Sequence, residues 1–181
     1  MNMKTNLTAT LHTDMVVEEI DWGEVYEHFL PRIFHFMCYK VGNIQLAEDL
    51  TATTFEKAWA NREKFRKNRG EVQAWLIGIA RHVVFDYYRK PYHEVDLVEA
   101  IDVPDSSVVV EETVQHQQDF KKISQLLTKY LDRDRELIAL KYGAEMTNRE
   151  IAKFTGLSES NVGTILHRVV TNLRLEWKEK E

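Results

Sequence analysis

The hydrophobic positions of the chain recur at helical spacing in two blocks, residues 21–90 and 120–181. In the second block, one run of apolar residues falls at i, i+3, i+4, i+7 and i+11: Val162, Ile165, Leu166, Val169 and Leu173. Residues three and four apart share one face of an α-helix, so this spacing predicts an amphipathic helix. No convincing stretch alternates between apolar and polar residues, and only 7 Gly and 3 Pro occur in 181 residues. The pattern therefore predicts an all-α protein made of two small helical domains.

Charge divides the chain at the same places. The whole chain has a net charge of −5, but residues 91–119 contain eight acidic side chains and no Lys or Arg, whereas both helical blocks carry a small basic excess. The acidic stretch also holds two of the three prolines and lacks a sustained helical period, which is typical of a flexible linker. We therefore expect an N-terminal tail at 1–20, a domain at 21–90, an acidic linker at 91–119 and a second domain at 120–181.

The composition argues against several classes of protein. The longest apolar runs fall far short of the roughly 20 residues that a membrane span needs, and the first residues lack the pattern of a signal peptide. We expect no membrane insertion and a cytoplasmic location. The single cysteine, Cys38, excludes an internal disulfide. We find no zinc-protease motif, phosphate-binding glycine loop or cysteine pair, so we expect no enzyme activity, metal or cofactor; the pair His35 and Cys38 is better explained by packing.

The segment TNREIAKFTGLSESNVGTILHRV, residues 147–169, predicts a helix-turn-helix. Thr147 and Glu150 have the spacing of a capping box, so a helix begins there. Gly156 allows the left-handed conformation that ends a helix, and Ser158 is a good cap for the next one. A second helix of this kind fits the major groove of DNA. The residues predicted to contact bases are Ser158, Glu159, Ser160, Asn161, Thr164, His167 and Arg168, and those predicted to contact phosphates are Arg149, Lys153 and Lys141. A helical hairpin that only packs against its neighbours is the alternative.

In the N-terminal block, the stretch AEDLTATTFEKAWANREKF has two opposed faces on a helical wheel. The predicted core face consists of Leu46, Ala47, Leu50, Thr54, Phe55, Ala58 and Trp59. The opposite face carries Asp49, Thr53 and Glu56. Such a face can be solvated, or it can dock on a basic partner helix, and composition does not choose between the two.

The stretch FRKNRGEVQAWL places cations and aromatic rings around a glycine-containing loop. Its candidate residues are Phe65, Arg66, Lys67, Asn68, Arg69 and Trp75. Cations hold a phosphate backbone, and rings stack on bases exposed from a duplex. The following helix is predicted to bury Val72, Leu76, Ile79, Ala80, Val83 and Tyr87, which leaves Arg81, His82, Phe85, Tyr88 and Arg89 on other faces. Aromatic residues at helical spacing are more often part of a core, so the spacing alone leaves both interpretations open.

Several of these stretches, taken in order, resemble the extracytoplasmic-function (ECF) sigma factors of bacterial RNA polymerase. PRIFHF, AEDLTATTFEKAW and FRKNRGEVQAWLIGIARHVVFDYYRK resemble the promoter-melting domain of that family. LDRDRELIALKYGAEMTNREIAKFTGLSESNVGTILHRVVTNLR resembles its C-terminal helix-turn-helix. The likeness covers residues 21–90 and 120–176. It implies an alternative sigma factor that binds core RNA polymerase and directs promoter recognition, DNA melting and transcription initiation.

The resemblance also assigns roles to the candidate surfaces. The face with Asp49, Thr53 and Glu56 would dock on the clamp helices of the largest polymerase subunit. Residues 159–168 would enter the major groove of the minus-35 element. The family further implies an anti-sigma factor as a partner, and we expect the free protein to be a monomer.

The same resemblance places the remaining candidates at the minus-10 element. The loop from Phe65 to Trp75 would hold a base flipped from the non-template strand, and Arg81, His82 and Arg89 would lie along the duplex edge. Flipping costs a few kcal/mol, which a preformed pocket has to offset. This chain departs from the family at His82, where Asn is frequent, and in NVGTIL, where Lys or Arg is usual; these departures predict an unusual promoter preference.

An acidic protein that binds DNA requires an explanation. Nonspecific attraction to DNA is electrostatic, so the acidic linker lowers the DNA affinity of the free protein. Bound to polymerase, the linker would be sequestered and the two basic blocks held at a fixed spacing, so that two weak contacts act as one. Two other interpretations compete with this one: a dimeric helix-turn-helix repressor or activator, and a helical adaptor that binds only proteins.

Overall fold

The computed structural model describes residues 20–65, 71–89 and 114–178. Over these residues the chain is helical and contains no β-strand, which confirms the all-α prediction. The helices are α1 (Trp22–Val41), α2 (Ile44–Asn61), α3 (Val72–Arg89), α4 (Val114–Leu127), α5 (Asp132–Ile138), α6 (Asn148–Thr155) and α7 (Glu159–Lys178). A 3₁₀ turn, Arg62–Lys64, follows α2, and a π-helical turn, Ala139–Gly143, continues α5.

The first three helices form an N-terminal bundle whose ends are set by short polar caps. The Asp21 carboxylate accepts hydrogen bonds from the amides of Gly23 and Glu24 and so satisfies donors that α1 leaves free at its start. Gly42 ends α1 with a φ of 71°, a conformation that favours glycine. The Asn43 side chain then caps α2 by accepting from the Leu46 amide. This sharp corner makes α1 and α2 antiparallel neighbours.

The core of this bundle differs in part from the predicted helical faces. In α2, Ala47, Leu50, Thr54 and Ala58 are buried as predicted, but Trp59 is 57% exposed. In α3 the buried residues are Leu76, Ile77, Ala80, Val83 and Val84, whereas Tyr87 is 41% exposed. The reason is that α3 packs against both α1 and α2. Its buried stripe therefore includes Ile77 and Val84, and Tyr87 lies outside it.

Helices α5, α6 and α7 form a C-terminal bundle around the predicted helix-turn-helix, whereas α4 packs mainly against α1. Helix α4 begins at Val114, within the stretch that we expected to be linker up to residue 119. In α7 the apolar stripe is buried at Val162, Ile165, Leu166 and Val169, as its spacing predicts.

The two bundles share one hydrophobic core. Phe36 and Met37 of α1 have no exposed surface, and the π-helical turn lies directly on this helix. A Cβ atom built on Gly143 would stand 2.6 Å from the backbone nitrogen of Phe36. The two helical blocks were expected as separate domains on a flexible linker; in the structure they are in backbone contact.

Candidate promoter and polymerase interfaces

The helix-turn-helix is formed by α6, α7 and the turn between them. The capping box is complete: the Thr147 amide donates to Glu150 Oε2 at 2.7 Å, and the Glu150 amide donates to Thr147 Oγ1 at 3.2 Å. The Thr147 amide and hydroxyl both donate to the Glu150 carboxylate, and these two hydrogen bonds lower the pKa of Glu150. Gly156 ends α6 with a φ of 77°, and the Ser158 hydroxyl accepts from the Asn161 amide at the start of α7. Local sequence therefore fixes the angle at which α7 leaves the turn.

The polar residues predicted to contact bases do share one exposed surface. Its members on and just before α7 are Ser158, Glu159, Ser160, Asn161, Thr164, His167 and Arg168, all exposed. Arg149 and Lys153 of α6 are exposed as well. The Thr164 hydroxyl donates to the Ser160 carbonyl at 3.0 Å, so its oxygen is left to accept a further hydrogen bond. The arrangement offers amide, hydroxyl and imidazole groups to a ligand, with three cations, Arg149, Lys153 and Arg168, beside them.

One residue of this surface has a partner that the sequence did not reveal. Arg168 donates to Asp134 Oδ2 at 2.7 Å, and Asp134 of α5 is only 5% exposed. Half of the Arg168 side chain remains exposed. The carboxylate thus orients this guanidinium and offsets part of its charge. A hydrogen bond between residues 34 positions apart leaves no trace in local spacing, so only the fold could identify it.

An aromatic cluster stands at the base of the candidate melting loop. The rings of Phe65 and Trp75 lie 5.3 Å apart, and Trp22 of α1 packs against both, at 6.1 Å and 5.7 Å. Phe65 is 8% exposed, so its ring supports the loop from inside and is not open to a base. Trp22 was missing from the sequence prediction. The loop residues Arg66, Lys67, Asn68 and Arg69 lie outside the part of the chain that the structure describes.

The predicted duplex-edge residues of α3 are all exposed. Arg81, His82 and Arg89 share the helix surface with two further rings, Phe85 at 61% exposure and Tyr88 at 59%. The His82 Nδ1 atom lies 2.7 Å from the Gly78 carbonyl. Because a carbonyl only accepts, Nδ1 carries the proton and a neutral ring has Nε2 as an acceptor.

Two of these cations, Arg89 and Arg81, already contact other side chains of the protein. The Arg89 guanidinium lies over the Phe85 ring at 5.6 Å and pairs with Asp86 at 3.5 Å. Arg81 reaches the C-terminal bundle: its Nε lies 2.6 Å from Glu136 Oε1, and its guanidinium lies 5.3 Å from the Phe154 ring centroid. The face is therefore cationic and aromatic, and the Arg81 side chain, which also contacts the other bundle, stays 44% exposed.

The candidate polymerase surface lies on α2. Asp49 and Glu56 are exposed, and Thr53 is half-buried with its hydroxyl donating to the Asp49 carbonyl. Trp59 lies one turn beyond Glu56, and the Arg62 guanidinium covers its ring at 4.1 Å. The sequence prediction assigned Trp59 to the core; its exposure instead places a fixed aromatic ring beside the acidic face.

The described residues give little support for metal binding, cysteine chemistry or a membrane span. They contain no group of three or more His, Cys, Asp or Glu side chains placed to hold a metal ion. Burial raises the pKa of the Cys38 thiol to about 12, which keeps it protonated and unreactive. Among the described helices, none is both long and apolar enough to cross a membrane.

Family models match both bundles. The sigma-70 region 2 model matches residues 25–92, and the sigma-70 region 4 model matches residues 121–173. The first match contains the acidic face of α2 and the cationic face of α3, and the second contains the helix-turn-helix. The chain belongs to the sigma-70 family, as the order of its motifs predicted.

Similar proteins narrow the class further. The ECF RNA polymerase sigma factor SigM of Bacillus subtilis (strain 168) is 28% identical over 155 residues, which is 83% of this chain and 91% of SigM. Two solved structures share the fold, each with a TM-score of 0.62: the sigma factor RpoE in complex with the anti-sigma factor NepR from Bartonella quintana, at 23% identity, and CnrH in complex with the cytosolic domain of CnrY, at 18%. They cover 87% and 88% of this chain, which in turn spans 97% and 89% of theirs. The chain is an ECF sigma factor, and it directs promoter recognition and transcription initiation.

Proposed function

We propose that this sigma factor binds core RNA polymerase through α2, recognises the minus-35 element through α7, and opens the minus-10 element with α3 and the loop before it. The observation that carries this proposal is the exposure of three chemically different faces on one chain. The acidic face suits a basic protein helix, the polar face of α7 suits base edges, and the cationic-aromatic face of α3 suits melted DNA.

At the minus-35 element, Asn161 and Thr164 read bases, because an amide and a hydroxyl near the start of a recognition helix reach base edges in the major groove. Arg149 and Lys153 hold the phosphates alongside, which fixes the register without specifying sequence. Arg168 stays paired with Asp134 and, held in this orientation, contacts a phosphate.

At the minus-10 element, Arg81, His82 and Arg89 contact the duplex edge, and the loop residues Arg66, Lys67, Asn68 and Arg69 bind the displaced strand. The flipped base stacks against Trp75, whose ring also packs against Phe65 and Trp22. A stacking surface of this kind offsets part of the cost of flipping the base.

On the polymerase, the clamp helices of the largest subunit receive Asp49, Thr53 and Glu56. The acidic linker is sequestered within the enzyme, and catalysis belongs to the polymerase alone. The protein works in the cytoplasm as a monomer when free. An anti-sigma factor is a further partner; of the two structures with the same fold, RpoE was solved with the anti-sigma factor NepR and CnrH with the cytosolic domain of CnrY.

Run-off transcription with purified core polymerase on a library of randomised promoters tests the proposal. We expect transcripts from a selected subset that shares two short elements, and none without the sigma factor. Transcription that is independent of this protein, or tight binding to palindromic duplexes by a dimer in the absence of polymerase, would favour the helix-turn-helix repressor instead. Binding to polymerase without any sequence selection would favour the protein-binding adaptor.

A further inference from the structure

The His82 side chain presents a hydrogen-bond acceptor on a face of α3 whose cations present only donors. On the basis of the proposed function, we propose that His82 is a specificity-determining residue for the minus-10 element. Its Nε2 atom accepts a hydrogen bond from the amino group of adenine or cytosine at one base pair. Arg81 and Arg89 hold the neighbouring phosphates, and His82 disfavours guanine and thymine at that position.

The first support is the hydrogen bond that fixes the protonation of the ring. His82 Nδ1 lies 2.7 Å from the carbonyl oxygen of Gly78, one turn earlier in α3. Because a carbonyl oxygen only accepts, Nδ1 carries the proton, and Nε2 of the neutral ring has a lone pair and no proton. Nδ1 faces the helix backbone and His82 is exposed, so Nε2, on the opposite side of the ring, faces outward. One intrahelical bond therefore sets both the tautomer and the orientation of the ring.

The second support is that the DNA backbone offers no donor to this acceptor. Phosphate and deoxyribose oxygens only accept hydrogen bonds, so a neutral His82 cannot anchor a phosphate as an arginine does. In the major groove the donors are the amino groups of adenine and cytosine, whereas guanine and thymine present acceptors there. The minor groove, about 6 Å wide, is too narrow for an α-helix. The chemistry of the ring thus selects an amino-bearing base.

The third support is the surface on which the ring lies. Phe85 and Arg89 follow His82 at i+3 and i+7, so the three residues share one face of α3. Phe85 is 61% exposed, and the Arg89 guanidinium lies 5.6 Å from the centre of its ring. A large apolar ring beside His82 reduces the access of water to the base contact. An acceptor that meets the wrong base is then left without a partner, which is costly.

This acceptor also differs in kind from the asparagine that is frequent at this position in the family. An asparagine amide both donates and accepts, and it can bind adenine through two hydrogen bonds. Nε2 of His82 can accept only one, and cytosine provides the required donor as well as adenine does. The substitution of histidine for asparagine therefore has a defined consequence: it admits cytosine where an amide favours adenine.

Selection from a promoter library randomised across the minus-10 element is the first measurement, with run-off transcription by core polymerase as the readout. For wild type we expect one position at which adenine and cytosine are each favoured over guanine and thymine by about 2- to 10-fold, the range for one hydrogen bond. His82→Ala should lose this preference at that position alone, and His82→Asn should favour adenine over cytosine there.

Gly78→Ala is the matched control on the same helix. It leaves the carbonyl that holds His82 in place, and an added Cβ meets nothing within 4 Å. Its selected sequence should equal that of wild type. Because His82 is exposed, its variants should fold, and circular dichroism verifies this for each protein.

Removal of a single amino group is the second measurement. In one arm, adenine at the selected position is replaced by purine, which lacks the 6-amino group; in the other, cytosine is replaced by 2-pyrimidinone, which lacks the 4-amino group. Each change also weakens the base pair, and His82→Ala measures that part alone. In competition with the parent promoter, wild type should lose about 2- to 10-fold more than His82→Ala does. Gly78→Ala should behave as wild type.

Three results would contradict the assignment. The first is a base preference that survives His82→Ala, and the second is an equal loss in wild type and His82→Ala when either amino group is removed. The third is a preference for guanine that depends on His82, since guanine requires a donor. Each of these overturns the role of His82 while the selected promoter still supports the proposed function. If wild type selects no promoter at all, the proposed function fails, and the assignment fails with it.

Discussion

The aromatic cluster beneath the melting loop permits a test that separates structural from functional roles. Trp75 and Trp22 each make two ring contacts within it, and they share Phe65 as a partner. Both tryptophans are half-buried. We propose that only Trp75 contributes to base capture. Replacing either by alanine should therefore cost similar stability, but only one replacement should impair DNA melting.

The expected loss of stability follows from the ring packing that each substitution removes. An aromatic pair contributes about 0.5–1.5 kcal/mol beyond area burial, and fully buried Trp→Ala changes cost about 3–5 kcal/mol. With two ring partners and partial burial, each variant should lose about 2–3 kcal/mol of the free energy of unfolding. In a protein of this size, that lowers the Tm by roughly 4–12 °C. Thermal unfolding monitored by circular dichroism measures it.

Permanganate footprinting of the polymerase–promoter complex then reads out melting, at a temperature where both variants remain folded. We expect Trp22→Ala to melt the minus-10 element as wild type does, and Trp75→Ala to show about a tenfold or greater loss of reactivity with unchanged binding to core polymerase. If both variants melt the minus-10 element as wild type does, the base-capture role of Trp75 is refuted. If both lose permanganate reactivity to the same extent, the cluster acts only by shaping the loop.

Three other predictions can be checked separately. Asp49→Lys should weaken recovery of core polymerase in a pull-down about tenfold or more, because like charges oppose docking on a basic helix. Trp59→Ala should weaken the recovery as well, since its ring lies beside the acidic face. Full recovery of core polymerase by both variants would exclude this face of α2. Asn161→Ala should relax the selected minus-35 sequence at one position and cost about 1–3 kcal/mol of binding free energy. Lys153→Ala should weaken binding to all sequences alike and reduce the dependence of log affinity on log salt by about 0.9. Identical effects of the two variants would mean that α7 does not read bases. The Cys38 thiol, with its pKa raised to about 12, should resist a thiol reagent at a pH of about 8, near the ordinary thiol pKa, until the protein is denatured, and rapid labelling of the native protein would contradict its burial.

Local signals predicted the helix-turn-helix because each of its features depends on neighbours in sequence. The capping box joins Thr147 to Glu150, and the end of α6 needs only Gly156. The buried stripe of α7 follows from one helical period. Each of these features lies within a few residues, so sequence spacing alone carries the information.

The features that the sequence prediction missed depend on how the helices pack against one another, which local spacing does not show. Trp59 was assigned to the core because its position fits the apolar stripe of α2, but the ring is exposed and lies against Arg62. Phe65 was expected in an open loop, and its burial depends on Trp22, in a different helix. Gly143 carries no helical or turn signal for its role, since that role exists only where α1 passes 2.6 Å from the position of a Cβ.

The structure adds a second explanation, besides the linker, for how an acidic chain avoids premature DNA binding. The short helix α5 supplies carboxylates to candidate DNA-binding cations of both bundles: Asp134 holds Arg168, and Glu136 holds Arg81. Of these two pairs, the second crosses between the bundles and the first does not. Because Asp134 offsets the charge of Arg168, Asp134→Asn should raise affinity for random duplex DNA and steepen its salt dependence by at most about 0.9. An unchanged salt dependence would mean that Arg168 does not contact phosphate, and the linker would then remain the main source of repulsion.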